Sequence, residues 1–370
     1  MNQERIINQF LELVKINSIS KKEGEIANYL LEILKDLNLD PEVDSVGDKV
    51  EGETGNIIVK IPGDSSKPTL LLSSHMDTVT PGEDIEPIIK DDRIYSKGDT
   101  ILGADDKAGI TAIIESLKFI QEEEINHGNI EIVFTVGEEV GLLGSKNLDH
   151  NMLKADLGIV YDSGGEVGTI ITQAPAQDKI DIKVKGKAAH AGVSPSAGIN
   201  AIKVSSVALS NMNLGQIDEE TTANIGVIKG GQATNIVPDL VELEGEARSR
   251  NENKLERQTR HMCDLFRRVA NKYNAEVEIN VDRMYPAFNL SRNNEIVDIA
   301  VKAARSVNIK PDLQSTGGGS DANIFNGLGI STINLGLGMN EVHSTNENIK
   351  INDLVNAVKY SIALIKEVAS

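Results

Sequence analysis

Two histidines and several acids stand where a folded chain could put them to chemical use. SSHMDTV places His75 and Asp77 directly after an apolar run, and GADDKAG sets Asp105 and Asp106 between a glycine turn and the start of a helical pattern. FTVGEEVGLLGS puts Glu138 beside Glu139 after a second apolar run, IVYDSGG ends a third in Asp162, and EVHSTNE offers His343 in a polar loop beyond a fourth. Each has an ordinary alternative when taken singly. His75 and Asp77 suit a strand-end turn, adjacent aspartates can cap a helix and favour its dipole, and Asp162 and His343 can be solvated loop residues. Glu138 and Glu139 can be a surface pair, although neighbouring like charges cost stability unless a cation holds them. The joint arrangement is harder to explain that way. Imidazole nitrogens and carboxylate oxygens suit zinc, and a carboxylate bridging two ions about 3.5–4 Å apart is a recurring device of hydrolytic enzymes. The constellation therefore points to a metal centre.

The elements that must position these residues are legible in the hydrophobic pattern. Residues 4–15 and 23–37 carry apolar residues at helical spacing, while 56–61 and 69–74 are short apolar runs that read as buried strands. A helix opening near Lys107, a strand over 130–136, a short helix after Glu138 and a strand over 157–161 follow, and such alternation predicts a mostly parallel sheet covered by helices. The style changes between about 175 and 285, where half-buried strands over 180–186, 222–231, 241–247 and 276–282 surround helices at 197–213 and 252–273. That pattern fits a compact α+β unit. Alternation then resumes with a helix at 293–306, a strand over 329–335 and a terminal helix from about 352. The chain is thus expected to be an α/β protein: a phosphorylase/hydrolase-like catalytic domain with a mostly parallel mixed sheet, formed by 1–174 and 286–370. An α+β lid, 175–285, is inserted into it.

Charge and composition narrow the partners. A length of 370 residues favours two domains. The formal net charge of -19 opposes the phosphate contacts on which nucleic-acid affinity rests and offers no basic face to anionic lipid, so neither partner is expected. No apolar run approaches the roughly 20 residues that span a bilayer, and MNQERIINQF lacks a signal-peptide core. The expected compartment is the cytoplasm. The single cysteine, Cys263, falls in an amphipathic helical pattern and reads as a buried, inert thiol.

The linked motifs SHMDTV, GADDKAG, GEEVGLLGS, YDSGG and VHSTNE resemble those of the co-catalytic zinc peptidases that include peptidase T, carboxypeptidase G and succinyl-diaminopimelate desuccinylase, over essentially the whole chain. The resemblance implies two zinc ions per chain, replaceable by cobalt or manganese. His75, Asp105 and Asp162 would hold one, and Asp105, Glu139 and His343 the other, with Asp105 as the bridge. It also implies that Asp77 orients His75, that Glu138 is the general base, and that a cis peptide follows Asp105. In the lid, His190 of KAAHAGVSP resembles the histidine that reaches across a homodimer to steady the oxyanion. Asn235 and Arg248, or Arg250 in its place, resemble substrate-holding positions, and the run Gly317, Gly318 and Gly319 would offer backbone N–H groups to an anionic substrate end. The implied activity is release of the N-terminal residue from short peptides, as in a tripeptidase-like aminopeptidase. A carboxypeptidase or N-acyl-amino-acid deacylase with the same metals is the alternative, and a non-catalytic metal-binding protein is a third. Glu138 argues against the third, because a structural metal needs no base.

Overall fold

In a computed structural model describing residues 1–370, the chain divides into two compact units. The larger comprises Met1–Thr172, Leu290–Ser315 and Ser320–Ser370; the smaller comprises Gln173–Asn289 with Thr316–Gly319. Thr316 joins the smaller unit because its N–H donates to the Gln173 carbonyl.

Four strands form the parallel heart of the larger unit: Ile130–Thr135, Leu70–His75, Leu157–Ser163 and Ser331–Gly336 lie side by side in that order. Ile57–Ile61 extends one edge and Thr169–Ala174 the other, both antiparallel. Leu70–His75 and Ile130–Thr135 are buried at every position, which requires cover on both faces and explains why these strands read as continuous apolar runs rather than as alternation. The helices Gln3–Lys15, Ala104–Glu122, Glu295–Ser306 and Ile351–Val368 supply cover and pack on one another. Ala104–Glu122 is buried over almost its whole circumference, so it is a central helix rather than a surface one.

One element escaped the sequence pattern. Pro87–Lys90 and Arg93–Ser96 form a hairpin that pairs onward with Asn348–Lys350 and Met339–Asn340, making a separate four-stranded sheet. Its strands have two to four residues and expose Ile88 and Ile89, so neither apolar runs nor alternation marked them. None of the helices is long and apolar enough to cross a membrane.

The smaller unit is a five-stranded antiparallel sheet in the order Gly215–Gln216, Thr221–Gly230, Leu240–Ser249, Ala176–Lys185, Glu276–Tyr285. Ala176–Lys185 alternates strictly, and its inward residues Ile180, Ile182 and Val184 meet Val241, Leu243, Leu255 and Phe266 in a core of their own. Helices Ala201–Ser210 and Glu252–Lys272 bury their apolar stripes there, each capped by an asparagine whose side chain accepts a first-turn N–H. Cys263 lies in that stripe and is buried. Phe288–Asn289 pairs with Gln173–Ala174, so the chain enters and leaves this unit side by side.

Burial of the central strand predicts a sharp contrast between two aliphatic truncations. Leu72→Ala, at a fully buried position, should cost about 2–5 kcal/mol in chemical denaturation, whereas the half-exposed Ile89→Ala should change stability by about 0.5 kcal/mol or less. Equal losses would show that Leu72 is not in the core.

Candidate metal centre

All four parallel strands end on the same side, where open α/β sheets gather ligands. His75 is the last residue of its strand, Asp162 sits in the closing residues of Leu157–Ser163, and Glu138 and Glu139 follow Ile130–Thr135 across a turn at Gly137. His343, at φ 61, lies in the loop between Met339–Asn340 and Asn348–Lys350. Asp105 and Asp106 have non-helical backbone at the head of Ala104–Glu122, so the regular helix begins at Lys107, and the peptide between them is cis as expected.

Asp105 stands at the centre with its two oxygens turned to different imidazoles. Oδ1 is 3.0 Å from His75 Nε2, and Oδ2 is 3.3 Å from His343 Nε2. Asp162 Oδ1 lies 3.9 Å from the same nitrogen of His75, and Glu139 Oε1 lies 2.7 Å from that of His343. One donor atom each from His75, Asp105 and Glu139 falls within 4.8 Å of the others, and the same is true of His75, Glu138 and Asp162. Glu138 is therefore as close to the cluster as the expected ligands, and distance alone does not separate a base from a ligand.

The imidazole of His75 is held in a definite orientation. Nδ1 is 2.9 Å from the Asp77 carbonyl, which can only accept, so Nδ1 carries a proton and Nε2 is the nitrogen turned to Asp105. Asp77 thus meets His75 mainly through its backbone, with Oδ1 at 3.4 Å. Its carboxylate binds elsewhere, accepting the N–H of Glu138 at 2.9 Å, that of Glu139 at 3.2 Å, and the Ser20 hydroxyl at 2.6 Å. The acid pair at 105–106 is divided in a similar way. Asp106, fully buried, accepts the Ser74 hydroxyl and the N–H groups of His75 and Gly109, so the helix-capping role belongs to Asp106 while Asp105 faces the cluster.

Three further buried carboxylates brace the loops and were not singled out in the sequence. Glu23 accepts the N–H groups of Lys21 and Gly137, both at 2.9 Å. Asp321 accepts hydroxyls from Thr135 and Ser145. Glu347 accepts three N–H groups, from Leu102, Gly103 and Asp105. Only Glu347 carried a visible signal, as the last residue of VHSTNE.

Crowded carboxylates shape the electrostatics. Burial, reinforced by the charges of Asp321, Glu139 and Asp77, pushes the Glu138 carboxyl well above its usual range. Burial together with Glu138 and Asp105 does the same to Asp162. Burial opposes charge on Asp105 and on His75, but the bonds from His343 and His75 hold Asp105 below its usual range, and those to Asp105 and Asp77 hold His75 well above. Hydrogen bonds to Asp105 and Glu139 lift His343 to about 10. Anions so close are stable only with positive charge among them, and oxygen and imidazole donors in this number suit a divalent ion. The donor set fits the expected metals.

His190, Asn235, Arg248 and Gly317–Gly319 all belong to the smaller unit. Exposed His190 accepts the N–H groups of Gly192 and Val193 on Nδ1, both at 3.1 Å, which leaves the proton on Nε2 and makes that nitrogen a donor to solvent. Exposed Asn235 lies beside it, its carbonyl accepting the Ala191 N–H at 2.9 Å. The Arg248 fork is engaged by Glu246 through Nε and Nη2, both at 3.0 Å, and Arg250 donates to the Glu219 carbonyl. At Gly319 a Cβ would lie 2.2 Å from the Tyr285 ring, so packing leaves no room there for any side chain, whereas Gly317 meets nothing.

Residues 71–367 match the model of peptidase family M20/M25/M40. The crystal structure of aminopeptidase PepT from Bacillus cereus ATCC 10987 is 42% identical, covers 100% of both chains and superposes with a TM-score of 0.94. That of a tripeptidase from Staphylococcus aureus is 43% identical, covers 100% of this chain and 99% of its own, and has a TM-score of 0.96. The protein YqjE of Bacillus subtilis, described as uncharacterized, is 44% identical over 369 residues and 100% of each chain.

If the cluster takes a divalent ion, chelator-stripped protein should gain stability on adding zinc or manganese, by about 2.7 kcal/mol at roughly a hundred times Kd. Asp105→Asn should remove most of that gain, since Oδ1 and Oδ2 face the two halves of the cluster. A shift of equal size in the variant would mean that ions stabilise the protein from somewhere else.

Proposed function

This chain belongs to peptidase family M20/M25/M40, and we propose from that premise that it is a two-ion aminopeptidase that releases the N-terminal residue of short peptides. The observation that supports the two-ion part is the division of Asp105, with His75 on one oxygen and His343 on the other, and with Asp162 and Glu139 beside those two imidazoles respectively. The choice of substrate end is supported by the whole-length likeness to an aminopeptidase and a tripeptidase. The single cysteine, unable to form an internal disulfide, suits a reducing cytoplasm.

Bound between these residues, two divalent ions, zinc in the first instance and cobalt or manganese as substitutes, would polarise the scissile carbonyl and acidify water. Glu138, its carboxylate facing the cluster and its backbone fixed by Asp77, takes the proton of the attacking water and passes it to the leaving amine as the C–N bond breaks. Both protonation states are accessible to a carboxyl that burial and neighbouring acids lift and a cation lowers. His190 would donate its Nε2 proton to the oxyanion of the partner subunit's substrate, and the smaller unit would serve as lid and dimerisation surface. Asn235, Arg248 and Gly317–Gly319 would hold the far end of the peptide, the arginine exchanging Glu246 for the substrate carboxylate.

Glu138→Gln should lower turnover by about 10²–10⁴-fold while metal content stays at the wild-type level. Loss of the metal in that variant would make Glu138 a ligand instead. In a peptide digestion followed by mass spectrometry, short unblocked peptides should be cut from the N-terminus and N-acetylated ones should resist. Amidation of the C-terminus should weaken cleavage by about 1.5–3 kcal/mol, the worth of one charge-assisted hydrogen bond. Faster hydrolysis of N-acyl amino acids than of free tripeptides would replace the aminopeptidase with a deacylase and leave the two-ion centre standing.

The dimer has its own test. His190→Ala and Glu138→Gln should each be inactive alone, yet mixed subunits should recover up to about a quarter of wild-type activity, since one site of each heterodimer then holds an intact base and an intact histidine. No recovery, or a mass of one 39.9 kDa chain in light scattering, would confine His190 to its own subunit.

A further inference from the structure

Glu347 is buried to 1% exposure at the end of the loop that carries His343. Its Oε2 accepts the N–H of Leu102 at 2.8 Å and of Gly103 at 2.7 Å, and its Oε1 accepts the N–H of Asp105 itself at 3.0 Å. Gly103, at φ 71, turns the backbone so that these N–H groups converge on a single anion, as in the concave nests that bind phosphate elsewhere. The same two loops also meet at their functional side chains, since His343 Nε2 lies 3.3 Å from Asp105 Oδ2. Three residues thus separate two contacts between one pair of loops, one through side chains at the cluster and the other through a carboxylate beside the backbone of Asp105.

We propose that Glu347 is a positioning residue of the metal centre, setting the place of the bridging carboxylate relative to His343 by gripping the backbone of one loop from the end of the other. The proposal rests on the two-ion reading of the cluster. It follows from geometry that a movement of Asp105 along its strand-to-helix segment would lengthen one oxygen's reach while shortening the other's, so a bridge depends on backbone placement more than an ordinary ligand does. Grouped backbone N–H donors need an acceptor with two oxygens and a full charge, and Glu347 supplies both. An amide in its place could satisfy either the Leu102 and Gly103 pair or Asp105, because its second end is itself a donor.

Glu131 provides a matched control. It is likewise buried, in the same unit, and its carboxylate accepts the N–H groups of Lys154 and Ala155. Those groups precede the strand Leu157–Ser163, at its opposite end from Asp162. Glu347→Gln and Glu131→Gln should lower the melting temperature of the chelator-stripped protein alike. Only Glu347→Gln should weaken zinc binding, by about 10–100-fold in competition with a chromophoric chelator. It should also shift the visible absorption of the cobalt-loaded protein, which reports the coordination geometry directly. Wild-type zinc affinity and cobalt spectrum in Glu347→Gln, or the same loss of affinity in both variants, would overturn the positioning role. A wild-type protein that binds neither ion would overturn the two-ion reading itself, an outcome separate from any difference between the variants.

Discussion

Repulsion among carboxylates is the constraint around which the larger unit is arranged. Asp105, Glu138, Glu139 and Asp162 converge on two imidazoles, with atoms from several of them within 4.8 Å of one another. At that range like charges cannot all persist without a cation, and Glu138 and Asp162 are pulled upward first by burial and then by these neighbouring charges. A fold that accepts the cost must hold the groups where a cation can offset it. The parallel strands do so by delivering His75, the Glu138–Glu139 turn and Asp162 to one edge of the sheet, while Glu23, Asp77, Asp106, Asp321 and Glu347 keep the loops from spreading.

Charge is partitioned between the units in a way that serves the same end. The smaller unit carries 15 Lys and Arg against 15 Asp and Glu, so the net charge of -19 resides on the larger one. A net negative charge on the larger unit raises the concentration near it of divalent cations and of positively charged groups such as the free amine of a peptide. Salt should screen this long-range attraction over about a Debye length, roughly 8 Å at physiological ionic strength, while leaving the buried contacts of Asp105 largely untouched.

Much of this was legible in the sequence because the chemistry and the fold share a signal. Residues following continuous apolar runs lie at the ends of buried parallel strands, so reading Leu70–His75 or Ile130–Thr135 as strands also located His75 and Glu138. The smaller unit was equally readable, since Ala176–Lys185 alternates strictly and Glu252–Lys272 carries a clean apolar stripe. What stayed hidden has no period. The short hairpin strands near Pro87 and Arg93 are too brief and too exposed to impose a pattern. Glu23 and Glu347 look like surface acids because their burial is decided by backbone N–H groups far away in the chain, 114 and 242 residues off in the cases of Gly137 and Asp105. A carboxylate that binds backbone leaves no complementary residue type for a sequence to display.

Paired acids are the clearest example of how one dipeptide fills two roles. Asp105 and Asp106 are turned to different partners. The cluster takes Asp105, and the helix start and Ser74 take Asp106. At 138–139 the same separation holds, but there the backbone is the part that is fixed: Asp77 grips both N–H groups, leaving both carboxylates free of the scaffold. Glu139 is drawn to His343, at 2.7 Å, while Glu138 reaches the His75 and Asp162 side. In the roles proposed above, Glu138 as base must be near the reacting water yet able to change its protonation, whereas Glu139 as ligand must keep its charge. Placing the two on adjacent residues under one backbone clamp gives them a fixed relative position without giving them the same surroundings. Asp77 can perform that service because its carbonyl already orients His75, which leaves its carboxylate available. One residue therefore orients an imidazole and sets the attitude of the Glu138–Glu139 loop, and the short stretch His75-Met76-Asp77 couples two strand ends that lie neighbouring in the sheet.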